Sequence, residues 1–486
     1  MDPAVPTELK MNSDCTIVSA KSEEIAPISR RGFLRLGVAG AAMTVADWRL
    51  WAADEGLPAY YGDMLANVTA KVRRNARSCA DGFWFITDLH IPSNARMSGR
   101  ILAKLVKETG LKKVLCGGDM PEAFGSKESL AASVRNYRDE WVAPIEGAGG
   151  EFYPAKGNHD FTIRNAPTVN DGFTYSGREA RDVLMDTKAV NDRAVTNSED
   201  GEACYYYVDF PEQKMRYIVA DTTDRIATSR PFWAVEYGMH ERQVLWLAEY
   251  ALRGIPSGWG VVVMHHIPVC GVAANPDEIR IFAPWREVLE AFQGRRKVIV
   301  FGRELDYSKA KGRILLDLTG HHHAERQSQI NKIWHVTEPC DAAYHDYING
   351  SKPWCPDLPV KKRGTVYEQT FDAVQFDLKA GTILFTRFGG GGDRALHIAR
   401  KTIKAGEKMP FSASLFGRAV SWGCYDSDRV AMRPNPHRKY DYFADYFNDV
   451  ADISQDGMLT AKKAGETTVV ALSPNGDKEL FPVVVV

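Results

Sequence analysis

Five short segments, each following an apolar run of strand length, confine a small set of carboxylate, carboxamide and imidazole groups to the ends of predicted strands. They read Asp88-Leu89-His90, Gly118-Asp119-Met120-Pro121-Glu122, Gly157-Asn158-His159-Asp160, Met264-His265-His266 and Gly320-His321-His322-His323. The runs before them are Phe83 to Thr87, Lys113 to Leu115, Gly150 to Tyr153, Gly260 to Met264 and Arg313 to Leu318. A helix predicted around Ser98 to Thr109 sits between the first two and sets a β-α-β rhythm. Open α/β sheets present polar groups from sharp turns at the carboxyl ends of their strands, and glycine before such a group lets the backbone turn tightly. The chain is therefore expected to be of the α/β class, with one polar site gathered from five loops. Any one segment could be a helix cap or a strand end; their ordered conjunction carries the expectation.

Further strands are predicted at Cys204 to Asp209 and Met215 to Ala220, helices around Glu241 to Leu252 and Pro284 to Phe292, and a weak helix over Tyr61 to Arg77. Gln243, Trp246 and Leu247 on the helix around Glu241 to Leu252 are expected to serve packing. A hairpin over Phe371 to Phe388, turning at Lys379-Ala380-Gly381, closes this region, and Gly389 to Asp393 breaks the pattern. Beyond Arg394 come short strands and turns, the vocabulary of an all-β sandwich. With 486 residues, a prior of about 150 per domain favours more than one unit. The expected division is an N-terminal segment 1–53, a catalytic domain 54–394 and a β-module 395–486.

Charge narrows the partners. Sixty-one basic and sixty-two acidic side chains nearly cancel, which gives no field to hold a long polyanion and no nucleic-acid signal. Eight cysteines (15, 79, 116, 204, 270, 340, 355 and 424) show no C-x-x-C spacing, against a zinc ribbon or a redox motif. Cys340 and Cys355 flank a loop that a disulfide could close in an oxidising compartment. Near the N-terminus, Ser29-Arg30-Arg31-Gly32-Phe33-Leu34-Arg35 precedes a mildly apolar stretch, Leu36 to Val45. This resembles a twin-arginine export signal, which implies a periplasmic, cell-surface or extracellular protein and suits one whose metal is loaded before export.

In order, over residues 88–323, the five segments resemble the calcineurin-like metallophosphoesterase superfamily, whose pattern is D-x-H, G-D, G-N-H-D/E, H and G-H-x-H. The resemblance implies a four-layer α/β/β/α sandwich, two metal ions, and hydrolysis of a phosphate mono- or diester by a metal-bridging hydroxide. The donor chemistry agrees, because carboxylate oxygen suits hard ions while imidazole suits zinc, iron and manganese, and it leaves the metal open among those three. Two ions about 3.5 to 4 Å apart need a shared ligand, which the Asp119 carboxylate can supply. Carried over position by position, Asp88, His90 and His323 complete the first ion's set and Asn158, His265 and His321 the second's, with His266 and His322 outside both. His159 is implied at the leaving oxygen as general acid or electrostatic stabiliser, Glu122 as its orienting partner, and Asp160 as a further member of the catalytic group.

The C-terminal stretch resembles a bacterial immunoglobulin-like domain of the second group through Trp422, Asp456-Gly457, Ala461 and Gly465-Glu466-Thr467, with Pro434 to Phe447 inserted. An extra β-layer of the catalytic domain is the alternative, and an independent module would offer a cell-surface or glycan contact. Two other functions stay open: a surface binding or adhesion protein on an inactive phosphoesterase scaffold, and a secreted nucleotidase. Deleting 395–486 separates them, since an enzyme with an appended module should keep hydrolysis of a small substrate.

Overall fold

The computed structural model describes residues 56–91, 96–121, 127–160, 177–224, 238–341, 361–417, 419, 421–434 and 442–486. The twin-arginine stretch lies outside the described residues, as do Glu122, Cys15 and Cys355. No helix among the described residues is long and apolar enough to cross a membrane.

The catalytic region carries β1 (Asp81–Ile86), β2 (Lys113–Cys116), β3 (Glu151–Pro154), β4 (Val195–Thr196), β5 (Tyr206–Phe210), β6 (Met215–Val219), β7 (Gly260–Met264), β8 (Lys297–Val300), β9 (Arg303–Asp306), β10 (Arg313–Thr319), β11 (Arg326–Ile330), β12 (Ile333–Thr337), β13 (Thr370–Asp377) and β14 (Thr382–Gly389). Then follow β15 (Arg394–His397), β16 (Lys401–Ile403), β17 (Lys408–Pro410), β18 (Ser421–Asp426), β19 (Val430–Pro434), β20 (Tyr442–Tyr446), β21 (Ala451–Ile453), β22 (Met458–Ala461), β23 (Gly465–Leu472) and β24 (Lys478–Val485).

Two sheets organise the α/β domain. One runs β11-β12-β10-β7-β6-β5-β4, with β6, β7, β10 and β12 parallel. The other runs β18-β23-β24-β15-β14-β13-β1-β2-β3, with β16 beside β24 and β1, β2 and β3 parallel. Strands buried on both faces read as continuous apolar runs, as in residues 83–86 of β1 and Gly260–Met264. One core gathers Phe83, Val114, Tyr206, Val262, Leu316 and Trp334 from both sheets. A second lies over the other face of β7 and takes Leu247, Trp285 and Phe292 from the helical stretches 241–252 and Ala283–Gly294.

The C-terminal strands do not stand apart. They have a core of their own around Phe411, Trp422, Leu459, Val469 and Phe481, under a small sheet β17-β22-β21. Yet β24 pairs in parallel with β15, which pairs with β14, so this β-layer continues the catalytic sheet, and the expected boundary after Arg394 falls within β15. Short strand patterns carry no information about which sheet edge they join, so the sequence could not choose between module and extra layer.

Candidate metal centre

Each sharp turn after a strand is pinned by its neighbour. The Gly117 amide donates to Ile86 O, the Asp88 amide to Gly118 O at 3.0 Å, and the His90 amide to Asp119 O at 2.9 Å, which zips the first two loops together. Half of the non-glycine residues with positive φ among those described are Asp88, His90, Asp119, His321 and His323. Such backbone costs about 1–3 kcal/mol per residue and persists only where surrounding structure enforces it, which marks the cluster as a functional site. Two glycines make room for it. A Cβ on Gly157 would stand 2.2 Å from Asp119 Oδ1, and one on Gly320 2.3 Å from Asp88 Oδ2. Gly320→Ala is therefore expected to displace the Asp88 carboxylate and lower affinity for one ion while leaving the helical content unchanged, as read by metal titration beside circular dichroism.

The side chains converge on two foci. At the first, His323 Nε2 lies 3.1 Å from Asp88 Oδ1 and 3.1 Å from His90 Nε2, and His90 Nε2 lies 4.0 Å from Asp119 Oδ2. Asp88, His90, Asp119 and His323 each offer a donor atom within 4.8 Å of the others, a spread that suits one ion. At the second, Asn158 Oδ1 lies 3.0 Å from His266 Nε2 and 2.9 Å from His321 Nδ1, and His266 Nε2 lies 3.2 Å from Asp119 Oδ2. Asp119 belongs to both. Imidazole, carboxamide and carboxylate atoms meeting this closely are the donor set of a dinuclear centre, and the residues fit two cations. Cys340 also comes within 4.8 Å of His90 and His323, its thiol donating to Asp88 O at 3.0 Å.

His266, not His265, occupies the second focus. Side chains alternate along a strand, so His265 follows Val261 and Val263 into the helix-covered core, and His266 follows Val262 and Met264 between the sheets. His265 is fully buried with Nδ1 2.9 Å from Ile267 O and Nε2 2.8 Å from Asp317 Oδ1, and His335 Nδ1 closes on Asp317 Oδ2 at 2.7 Å. The expectation of His265 as ligand is thus corrected. Strand parity was the available signal, but it decides only once the face bearing the site is known.

Asp160 is also reassigned. Its oxygens accept the backbone amides of Asp119 at 3.1 Å, Met120 at 2.5 Å and Gly157 at 2.7 Å, so it ties two ligand loops together instead of facing the reaction. Burial, then the nearby Asp119 charge, pushes its carboxyl up to about 7, against the pull of those amides. Asp160→Ala is expected to lower thermal stability and metal affinity together, since three buried donors lose their acceptor at about 1–3 kcal/mol each. His159 stays near the centre, its amide on Asp119 Oδ1 at 2.8 Å and its ring edge-to-face with His90, centroids 4.9 Å apart. Gln243 does more than pack. It accepts the Asp221 amide and donates to Asp221 O and Asp224, fixing the loop after β6. From that loop Asp221 holds buried Lys156 at 2.7 Å, and Thr222 accepts the Ile267 amide, so the Asn158 and His266 loops share one anchor.

The charges follow from burial and crowding. Burial alone would raise the two carboxylates, but His323 and His266 hold Asp88 well below the usual range, and His266, His159 and His90 do the same for Asp119. Burial would lower His266, yet Asp119 and Asp88 push it up to about 10, while burial and the neighbouring His266 and His322 drive His321 down. The cluster thus holds ionised carboxylates beside a His266 proton that a cation would have to displace.

Residues 82–325 match the family model described as "Calcineurin-like phosphoesterase". No curated protein matches the chain. Similar solved structures include a dimetal phosphatase from Danio rerio, 13% identical, covering 65% of this chain and 98% of that one, with a TM-score of 0.41. Another is a purple acid phosphatase from yellow lupin seeds, 12% identical, covering 63% of this chain and 51% of that one, with a TM-score of 0.39.

Proposed function

Because the chain belongs to the calcineurin-like phosphoesterase family and is a metal-dependent phosphoric ester hydrolase, we propose that it cleaves a phosphate mono- or diester at a dinuclear centre. One observation carries the reading: two clusters of nitrogen and oxygen donors meet on a single shared carboxylate, Asp119. The first set is Asp88, His90, Asp119 and His323; the second is Asp119, Asn158, His266 and His321. Iron, manganese and zinc all suit these donors. When bound, two such ions supply a strongly acidified water and positive charge against the phosphoryl oxygens. The chain's own part is to hold that geometry, through Asp160, Gly157 and Gly320, and to keep most donors neutral so that an anionic ester is still attracted.

His159 stands beside the centre with its Nε2 3.9 Å from Asp119 Oδ2 and its side chain about one-fifth exposed, positioned to give a proton to the leaving oxygen. His159→Ala is expected to lower kcat by about 10²–10⁴-fold while both ions still bind, a split that kinetics and metal content resolve together. The twin-arginine stretch supports export, and Trp422 with Asp456-Gly457 supports an immunoglobulin-like β-layer at the C-terminus. Hydrolysis of para-nitrophenyl phosphate and its bis-ester, by protein loaded with manganese, zinc or iron, tests the function. Metal-dependent turnover that a chelator stops supports it and separates mono- from diester preference; turnover indifferent to metal overturns it.

A further inference from the structure

The middle histidine of the Gly320–His323 turn reaches away from the centre and meets a carboxylate from a distant loop. His322 Nε2 lies 2.9 Å from Glu278 Oε2, while His321 Nε2 lies 3.7 Å from Glu278 Oε1. Glu278 is only 3% exposed. It is the third residue of the helix Pro276–Ile281, where it forms a capping box: its own amide donates to Asn275 Oδ1 at 3.0 Å, and its Oε2 accepts the Asn275 amide at 2.8 Å. The segment before it is braced against β11 and the C-terminal β-layer. The Val272 amide donates to Ser328 Oγ at 3.3 Å, and Gly271 fits so closely that a Cβ there would stand 2.4 Å from Ser328 Oγ and 3.2 Å from Ser427 O. The carboxylate is therefore fixed from one side by its own helix cap and from the other by packing.

His321 bridges two environments. Its Nδ1 lies 2.9 Å from Asn158 Oδ1, inside the second focus, and its Nε2 points toward Glu278. An imidazole that coordinates through Nδ1 must keep its proton on Nε2, and an anionic acceptor beyond Nε2 favours that tautomer, fixes the ring plane and raises the ligand's basicity. At 3.7 Å the contact with His321 is electrostatic, not a hydrogen bond, and the hydrogen bond goes to His322.

We propose that Glu278 is a positioning residue for the second metal ion, orienting His321 through the charge of a carboxylate that His322 and the Asn275 cap hold in place. This rests on the dinuclear reading given above. Glu278→Gln is the informative change, because glutamine at the third helical position serves the same reciprocal cap and keeps the helix while removing the charge. Manganese binding to the full chain is followed by calorimetry, with circular dichroism and a thermal melt on each variant. The expected result is a second ion bound about 10–100-fold more weakly, the first ion bound as in the parent, and kcat recovering at saturating manganese. Asn275→Ala, which removes the side-chain acceptor of the Glu278 amide but keeps the charge and the backbone amide that Glu278 Oε2 accepts, is expected to lower the melting temperature with the second affinity kept. Parent-like second-ion affinity in Glu278→Gln overturns the proposal, as does an equal loss in Asn275→Ala, which would reduce Glu278 to a helix cap. Failure of the parent chain to bind two ions would sink the dinuclear reading instead, so the two failures are distinguishable.

Discussion

His266→Ala is expected to remove the second ion and slow turnover by at least about 10²–10³-fold, while its neighbour's variant, His265→Ala, keeps both ions and loses stability. His266 aims Nε2 at Asp119 and Asn158 between the sheets. Its removal deletes a donor outright, a larger loss than the about 10–100-fold that follows from removing an outer partner. His265 faces the other core, where it and His335 flank Asp317, with Asp317 1% exposed. Against burial, which would raise it, the two imidazoles hold Asp317 well below the usual carboxylate range. Breaking such a buried pair costs about 3–5 kcal/mol, so His265→Ala should shift the urea midpoint strongly while metal content stays unchanged. A pH signature accompanies it. Burial would lower His335, but Cys270 and Asp317 push it up to about 10. A raised imidazole contributes stability fully below about 6.5, lost as pH rises through its folded value. Unfolding free energy measured from pH 6.5 to 10 should decline in the parent and decline less in His335→Gln.

Deleting residues 395–486 should leave no cooperatively folding catalytic domain, contrary to the expectation that hydrolysis would survive. The cut falls within β15 and bares the edge of β14, a strand of the central sheet. It also strands a buried ionic cluster. Arg394, 1% exposed, meets Asp372 at 2.6 Å, Glu338 at 2.8 Å and Glu325 at 3.6 Å, and Lys478 from β24 meets Glu325 at 3.0 Å. Arg387 also faces these carboxylates, 2.9 Å from Asp372 and 2.8 Å from Glu325. Without β24, Lys478 is gone and the shielding of Arg394 with it, so buried carboxylates lose partners they need. The single change Arg394→Ala isolates the effect and is expected to cost about 3–5 kcal/mol, measured by denaturant unfolding. An active, cooperatively melting 1–394 fragment would show that the layers are independent.

The loops that carry the site were legible because their residue types are rare together and their order is fixed: Asp88 with His90, Asp119, Asn158 with His159, and His321 with His323 all sit at strand ends. The α/β rhythm was legible from continuous apolar runs such as Gly260–Met264. What failed to show were choices that depend on the far side of the chain. His265 and His266 differ only in which face of β7 they take, and that face is set by packing against helices elsewhere in the chain, such as Ala283–Gly294. Glu278 carries locally only the capping pattern it forms with Asn275, and its contact with His322 comes from a turn over forty residues later. The pairing of Arg394 and Lys478 with buried carboxylates was not legible either, because nothing local reveals that β24 joins β15.

The central claim, two ions sharing Asp119, is tested most directly by titrating metal-free protein with manganese and reading bound ions per chain and hydrolysis of bis-para-nitrophenyl phosphate in the same samples. The expected result is turnover that rises with the second ion and is lost, together with tight binding of that ion, in Asp119→Asn. Full turnover with one ion per chain, or in Asp119→Asn, would contradict a dinuclear centre built on that carboxylate.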